Sequence, residues 1–250
     1  MYFYKLVIAY DGTDYYGWQW QNNNVTIEHI VRKTFLGVFH QKKMELVAAS
    51  RTDRGVHAHG QVLRLGSLLS LDSGILHYAL SRALPDAITI RSCDILEDKI
   101  DFHPQHNIIK KVYIYRFFLF KPLPEHARYA HVITTPFDVD RCRQALSLFI
   151  GTHDFVAFSK ELAEKDTVRT VDDLSITICQ FTGAYIITVV GKSFLRHMIR
   201  RIVGAAFEYA GNALCSLQDI KDALNTGIIK KNLPVAPAKG LCLKEIQYKK

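Results

Sequence analysis

Ala49-Ser50-Arg51-Thr52-Asp53-Arg54-Gly55-Val56-His57-Ala58-His59-Gly60-Gln61 is the stretch on which the reading of this chain turns. The run before it, Met44 to Ala48, is rich in apolar residues, and so is the run from Gln61 to Leu65. Both read as strands. Two arginines, an aspartate, a threonine and two histidines are therefore set in a loop between two rigid elements, the usual place for chemistry. Composition alone also allows a solvated polar hairpin loop, with Asp53-Arg54-Gly55 as ordinary turn residues.

Working outward, Tyr2 to Tyr10 reads as a strand that stops at Asp11-Gly12. Thr13 to Gln21 is a polar-aromatic loop carrying both tryptophans. It suits contact with bases, although a loop folded over the edge of the core is the favoured reading. Ile27, Ile30, Val31, Thr34, Phe35 and Val38 keep helical spacing behind a Thr26 cap, and Leu71 to Leu84 reads as a second helix closed by Pro85. Ile88 to Ile90 starts a fourth strand. The second half begins near the strand Lys110 to Phe117, followed by a helix over Asp140 to Ile150 that stops at Gly151. A hairpin joins Val171–Cys179 to Ala184–Val190 across Phe181-Thr182-Gly183. Ser193 is placed to cap a helix from Phe194 to Ala210, Ser216 and Asp219 form a capping box, and Leu241 to Tyr248 closes the chain as a strand.

Twice over, the order is β-α-β-β-α-β, the split βαβ or ferredoxin-like unit. The expected class is α+β: two such halves, 1–105 carrying the aspartate loop and 106–250, joined around a central mixed or antiparallel sheet flanked by helices.

The 250 residues are enough for one sizeable core or two joined halves. At 48% hydrophobic and 22% charged, the chain is ordinary for a globular protein and not for a disordered one. Lys and Arg outnumber Asp and Glu 32 to 24, a net charge of +8 that suits a polyanionic partner. The five cysteines are scattered and never in a Cys-x-x-Cys pair, so thiols in a reducing compartment are expected rather than disulfides or zinc. The start of the chain is strand-like rather than signal-like, and no apolar run approaches the ~20 residues of a membrane span. A soluble cytoplasmic protein is expected. No P-loop, dinucleotide fingerprint or metal-ligand spacing is present.

Arg51-Thr52-Asp53, Gly55-Val56-His57-Ala58 and Gly60-Gln61-Val62 together resemble the active-site motif of the tRNA pseudouridine synthase A family, usually Gly-Arg-Thr-Asp-Ala-Gly-Val-His-Ala. Ser50 stands where glycine is usual and Arg54 where alanine is usual. Lys110-Lys111-Val112-Tyr113-Ile114-Tyr115 resembles the family's basic-basic-Tyr-x-Tyr segment. Phe194 to Gly204 is similar to its Phe-Leu-x-x-Met-Val-Arg-x-Ile-Val-Gly, with Ile199 for valine. Gly151 to Phe155 resembles a Gly-x-His-Asp-Phe of structural character, and Ala236 to Leu243 resembles the closing Ala-Pro-Ala-x-Gly-Leu-x-Leu. Phe102-His103 matches a further segment without its usual Ala-Arg-Phe, so an RNA-contacting arginine is absent there.

The resemblance implies an isomerase that converts uridine to pseudouridine on the 3′ side of the tRNA anticodon stem-loop (tRNA positions 38 to 40). It implies no metal or organic cofactor, and a homodimer in which one tRNA touches both subunits. Asp53 matches the catalytic aspartate, with Arg51 beside it as support. Arg200 matches the arginine that pairs with that carboxylate, Tyr113 the ring that stacks on the target base, and Leu241 a pocket leucine. Lys110, Lys111, Lys192, Arg196 and Arg201 are candidate phosphate contacts. The chemistry suits a lone carboxylate. With an ordinary pKa of about 3.9, an aspartate near pH 7 serves as nucleophile or base, and it can relieve oxocarbenium character at a sugar as in glycosidases. Two alternatives stand beside this: an RNA-binding module on the same fold without turnover, and a hydrolase of nucleosides or sugars. The second usually needs another carboxylate, which this loop does not supply.

Overall fold

The computed structural model describes residues 1–97, 102–160, 166–211, 215–229 and 233–249. They form two compact units, one of Met1–Ile109 with Cys242–Lys250 and the other of Lys110–Leu241. The sequence reading sets the break at 105/106 and runs the second half to 250. The changeover instead falls at Ile109/Lys110, and the terminal segment returns to the first unit.

The first unit follows the β-α-β-β-α-β order: β1 (Tyr2–Tyr10), α1 (Ile27–Val38), β2 (Glu45–Ala48), β3 (His57–Ser67), α2 (Ser73–Ala83) and β4 (Ile88–Leu96). β1 is antiparallel to both β3 and β4, and β2 is antiparallel to β3, giving the ferredoxin-like sheet order β4-β1-β3-β2. Alternation along β1 buries Tyr4, Leu6, Ile8 and Tyr10 on one face. Against that face α1 sets Ile27, Val31 and Phe35, and α2 sets Leu76 and Leu80, all fully buried. Both helices start where their caps put them. The Thr26 side chain accepts from His29 N–H, and Asp72 accepts from Gly74 and Ile75 N–H. The last strand, Leu241–Tyr248, contributes Cys242 and Leu243 in parallel register with His57 and Ala58 of β3.

The second unit contains β5 (Ile108–Phe118, with its first two residues in the other unit), α3 (Pro124–Arg128), β6 (His131–Val132), α4 (Val139–Ser147), β7 (Gly151–Asp154), β8 (Val168–Val171), β9 (Asp173–Ile178), β10 (Tyr185–Gly191), α5 (Met198–Gly211) and α6 (Leu217–Thr226). The final strand, Leu241–Tyr248, is β11. Within the unit β5, β10 and β9 are antiparallel neighbours in that order, β6 lies parallel to the end of β5, and β7 pairs with β8 as a separate hairpin. The capping box on Ser216 and Asp219 forms as the spacing predicts.

Three elements, α3, β6 and the β7–β8 hairpin, interrupt the simple order that the sequence predicts. The helix expected from Phe194 begins instead at Met198, because His197 takes a left-handed φ of 63° and breaks the chain's path. Arg196 therefore precedes the helix, and it does not share a helical face with Arg200. The class expected from the sequence holds: α+β, with mostly antiparallel sheet. Among the described residues no helix is long and apolar enough to cross a membrane.

Candidate active site

The loop that carries Asp53 is shorter than the sequence reading makes it, because β3 begins at His57 rather than Gln61. What remains, residues 49–56, is held by hydrogen bonds from all sides. Ala49 N–H donates to Val62 O at 2.9 Å. The fully buried Gln61 side chain reads Ser50 as a neighbouring strand would: Nε2 donates to Ser50 O at 2.6 Å, and Oε1 accepts from Ser50 N–H at 3.2 Å. Thr52 Oγ1 shares a hydrogen bond with Tyr10 Oη at 2.7 Å, and Thr52 O accepts from Trp18 N–H at 3.1 Å.

Asp53 then opens a tight turn in which its carbonyl accepts from Val56 N–H at 3.1 Å, with Gly55 at φ 76° in the third position. A positive φ at that place requires glycine at little cost. Gly55 N–H is tied in turn to Tyr15 O at 3.3 Å. The turn leaves Asp53 half-buried between the buried Thr52 and the exposed Arg54. At the end of the loop, Gly12 N–H donates to His57 Nδ1 at 3.1 Å. Asp11 Oδ1 lies 3.1 Å from that nitrogen and takes its own hydrogen bonds from Thr13 N–H and Oγ1.

Both departures from the family motif fit this frame. Ser50 does not adopt a left-handed φ, and Gln61 holds its backbone N–H and C=O. Arg54 is exposed, and its guanidinium lies over the Tyr16 ring, 4.1 Å from the centre. The two tryptophans of the neighbouring loop differ in burial. Trp18 is buried beside Tyr10, with ring centres 6.3 Å apart. Trp20 is 43% exposed and stacks on His29 at 4.5 Å.

The other matched residues lie in the second unit. Tyr113 sits on β5 opposite Val189 of β10, is buried, and meets Phe194 edge-on at 5.4 Å. Arg200, in the first turn of α5, is half-buried. Its Nε donates to Ala236 O at 2.8 Å, and Ala236 N–H donates back to Arg200 O at 3.0 Å. The backbone of 233–237 therefore runs along α5 at Arg200. It can lie so close because residue 204 is glycine: a β-carbon there would fall 1.9 Å from Pro234 O. Tyr115 donates its hydroxyl to Pro237 O at 3.0 Å, and burial pushes its pKa up against the opposing pull of the Arg200 charge. Leu241, at the end of this segment, is buried.

Of the candidate cations, Lys192 and Arg196 are exposed, Lys110 and Arg201 are half-buried, and Lys111 is buried. Burial lowers the pKa of Lys111 to about 8, which does not suit a contact with solvated phosphate. Gly151–Phe155 is structural, as expected. Asp154 Oδ1 accepts from Val156 N–H and Thr167 Oγ1, and Phe155 is fully buried. The five cysteines are free thiols, three of them buried. Among the described residues no three His, Cys, Asp or Glu side chains are gathered to hold a metal ion.

The residues that sequence reasoning missed are those that hold the aspartate turn: Gln61, Tyr10 and His57 with Gly12. Gln61 had a signal, since it is a polar residue at the start of a run that reads as a buried strand.

The fold is α+β, the chain is basic, and a tight turn presents Asp53; comparison with known proteins gives the class and the family. The family model described as "tRNA pseudouridine synthase" matches residues 6–105 and 145–249. The chain is 34% identical over 254 residues to "tRNA pseudouridine synthase A" of Thermodesulfovibrio yellowstonii, with 98% of each chain covered. It is 36% identical over 252 residues to the protein so named in Acetivibrio thermocellus, again with 98% of each covered. With that of Onion yellows phytoplasma it shares 33% over 247 residues and 99% of each. The chain belongs to the tRNA pseudouridine synthase family, isomerases that act on tRNA.

Proposed function

We propose that this protein isomerises uridine to pseudouridine in tRNA, with Asp53 as the catalytic carboxylate. The observation that carries the reading is the turn at Asp53-Arg54-Gly55-Val56. Its Asp53 O to Val56 N–H bond and the left-handed Gly55 hold one half-exposed carboxylate in place within a chain that matches the family over nearly its full length. In the reaction the N1–C1′ bond breaks, the base turns, C5 bonds to C1′, the C5 hydrogen leaves as a proton, and N1 gains one. Asp53 acts on the target nucleotide where charge develops as the glycosidic bond opens. By resemblance, Arg51 supports that carboxylate, Arg200 pairs with it and orients it, Tyr113 stacks on the turning base, and Leu241 lines the pocket. The target uridines lie on the 3′ side of the anticodon stem-loop. Lys192 and Arg196, both exposed, join Lys110 and Arg201 as contacts to tRNA phosphates. The working form is a cytoplasmic homodimer, which sedimentation at micromolar protein would report as twice the chain mass.

The test is tritium release from tRNA labelled at uridine C5. The wild type should release label, and mapping should place pseudouridine in the anticodon stem-loop. Asp53→Asn should bind tRNA but release label at least about 10³-fold more slowly. Tight, salt-dependent binding with no release by the wild type would instead support the RNA-binding module.

A further inference from the structure

Most arginines near the aspartate loop serve the fold of their own unit. Arg32 pairs with Glu28 and donates to Leu46 O, Arg64 pairs with Glu45, and Arg91 reaches His59 O. Arg54 does not. Among the described residues its only side-chain contact of this kind is the Tyr16 ring, and no carboxylate or carbonyl takes a hydrogen bond from it.

The pair is nevertheless held in place. Tyr16 N–H donates to Val25 O at 3.0 Å, and Gly55 N–H donates to Tyr15 O at 3.3 Å, so the loops carrying the two side chains are bound to each other. Tyr16 is 38% exposed, so the stack stands at the surface. A guanidinium lying flat on a ring has one face covered, while its N–H groups still point outward in its own plane. That edge is a fork matching the two non-bridging oxygens of a phosphodiester. It projects from the residue directly after Asp53. A nucleotide brought to Asp53 carries its own backbone phosphates to the same neighbourhood, and the chain's +8 charge favours that strand. Alanine, usual at this turn position in the family, has nothing to offer a phosphate.

We propose that Arg54, held over the Tyr16 ring, clamps a backbone phosphate of the tRNA strand beside the target uridine. The proposal rests on the tRNA-isomerase reading above. Ordering before binding is the function of the ring: the stack keeps the fork pointing outward, so less side-chain freedom is lost when the phosphate arrives.

The experiment uses the full-length protein, unmodified tRNA transcripts and four variants: Arg54→Ala, Arg54→Lys, Tyr16→Leu and, as a control, Arg82→Ala. Arg82 is an exposed arginine in the last turn of α2. Binding is followed from 50 to 200 mM salt, and tritium release gives KM and kcat. Arg54→Ala should lower the slope of log K against log salt by about 1 and raise KM roughly 3- to 10-fold, with a smaller change in kcat. Arg54→Lys should restore the slope but only part of KM, since an ammonium lacks the fork. Tyr16→Leu should raise KM as Arg54→Ala does, and the double variant should be no worse than either. Arg82→Ala should leave the slope as it is. An unchanged slope in Arg54→Ala, full recovery of KM by lysine, or an inert Tyr16→Leu would each overturn the clamp. If the wild type binds tRNA but releases no tritium, the isomerase reading fails, while the slopes still report separately on Arg54.

Discussion

The two motif-bearing regions are held by different balances of hydrogen bonding and close approach. In the first unit, loop 49–56 is bonded by the buried side chains of Gln61, to Ser50, and Tyr10, to Thr52. In the second unit, segment 233–241 takes hydrogen bonds from Arg200 and Tyr115 and is packed at close range at two glycines. Gly204 lies against Pro234, and Gly240 lies beneath the Tyr115 ring, where a β-carbon would come within 2.6 Å of it. A scaffold of hydrogen bonds to backbone leaves the loop's side chains free to vary. The chain departs from the family motif at Ser50, whose backbone Gln61 holds, and at Arg54, which is exposed. A scaffold of steric contact allows no such freedom, and here both glycines are retained.

Substitution should break the steric region hardest. Gly204→Ala places a β-carbon 1.9 Å from a backbone carbonyl oxygen, where no side chain can rotate away. Overpacking of this kind costs typically 1–3 kcal/mol, and more where backbone must move. We expect a loss above about 4 kcal/mol, read as a fall in the urea midpoint of unfolding. The segment at Ala236 should shift with it, and turnover should fall. A Gly204→Ala protein as stable as the wild type would show that this segment yields, and the contrast between the regions would disappear.

Next in size is Gln61→Leu. The apolar side chain fits the buried strand position but leaves Ser50 N–H and C=O without partners in a protein interior. An unsatisfied buried group costs about 1–3 kcal/mol, so the pair should cost about 3 kcal/mol in urea titration. Because the loop loses its frame while Asp53 itself is retained, kcat should fall with little change in tRNA affinity. Equal losses in both would mean that Gln61 supports the whole sheet edge and not this loop in particular.

The same contrast explains what could be read from the sequence. Strand periodicity, caps and turns predict all six elements of the first unit, because each is signalled by residues close in sequence: Thr26 for α1, Pro85 after α2. The frame of the aspartate loop was not fully legible, because Tyr10–Thr52 and Gly12–His57 join residues 42 and 45 apart, while Ser50–Gln61, at 11 apart, is more local. The start of β3 was hidden for a similar reason. His57-Ala58-His59-Gly60 carries no apolar alternation, and its strand form comes from partners at Tyr10 and Cys242. In the second unit Arg196 reads as part of a helix face, since helical spacing continues through it. Only the left-handed backbone at His197 ends the helix sooner. The hairpin β7–β8 has four residues in each strand, too short for a pattern.

The smallest effect concerns a charge. Gln61 bonds the first unit's loop through a neutral amide, whereas β5 in the second unit buries Lys111, whose pKa falls from 10.5 to about 8 through desolvation. Below pH 8 the lysine is protonated in both folded and unfolded chains, so the cost of burying the ammonium is fully present. Between pH 8 and 10.5 the folded chain has lost the proton that the unfolded chain still holds, and stability rises with pH. Above 10.5 both forms are neutral and the cost is gone. Lys111→Met should therefore stabilise the protein at pH 7 by about 2 kcal/mol, somewhat under the full shift at about 1.4 kcal/mol per pH unit. The gain should vanish by pH 10.5. Urea titrations of variant and wild type at matched pH cancel the other groups that ionise in this range. Gln61→Leu, which removes only neutral bonds, should show a difference that stays level over the same window. A Lys111→Met gain that persists at pH 10.5 would come from better packing along β5, and the charge would then carry no part of the difference between the two regions.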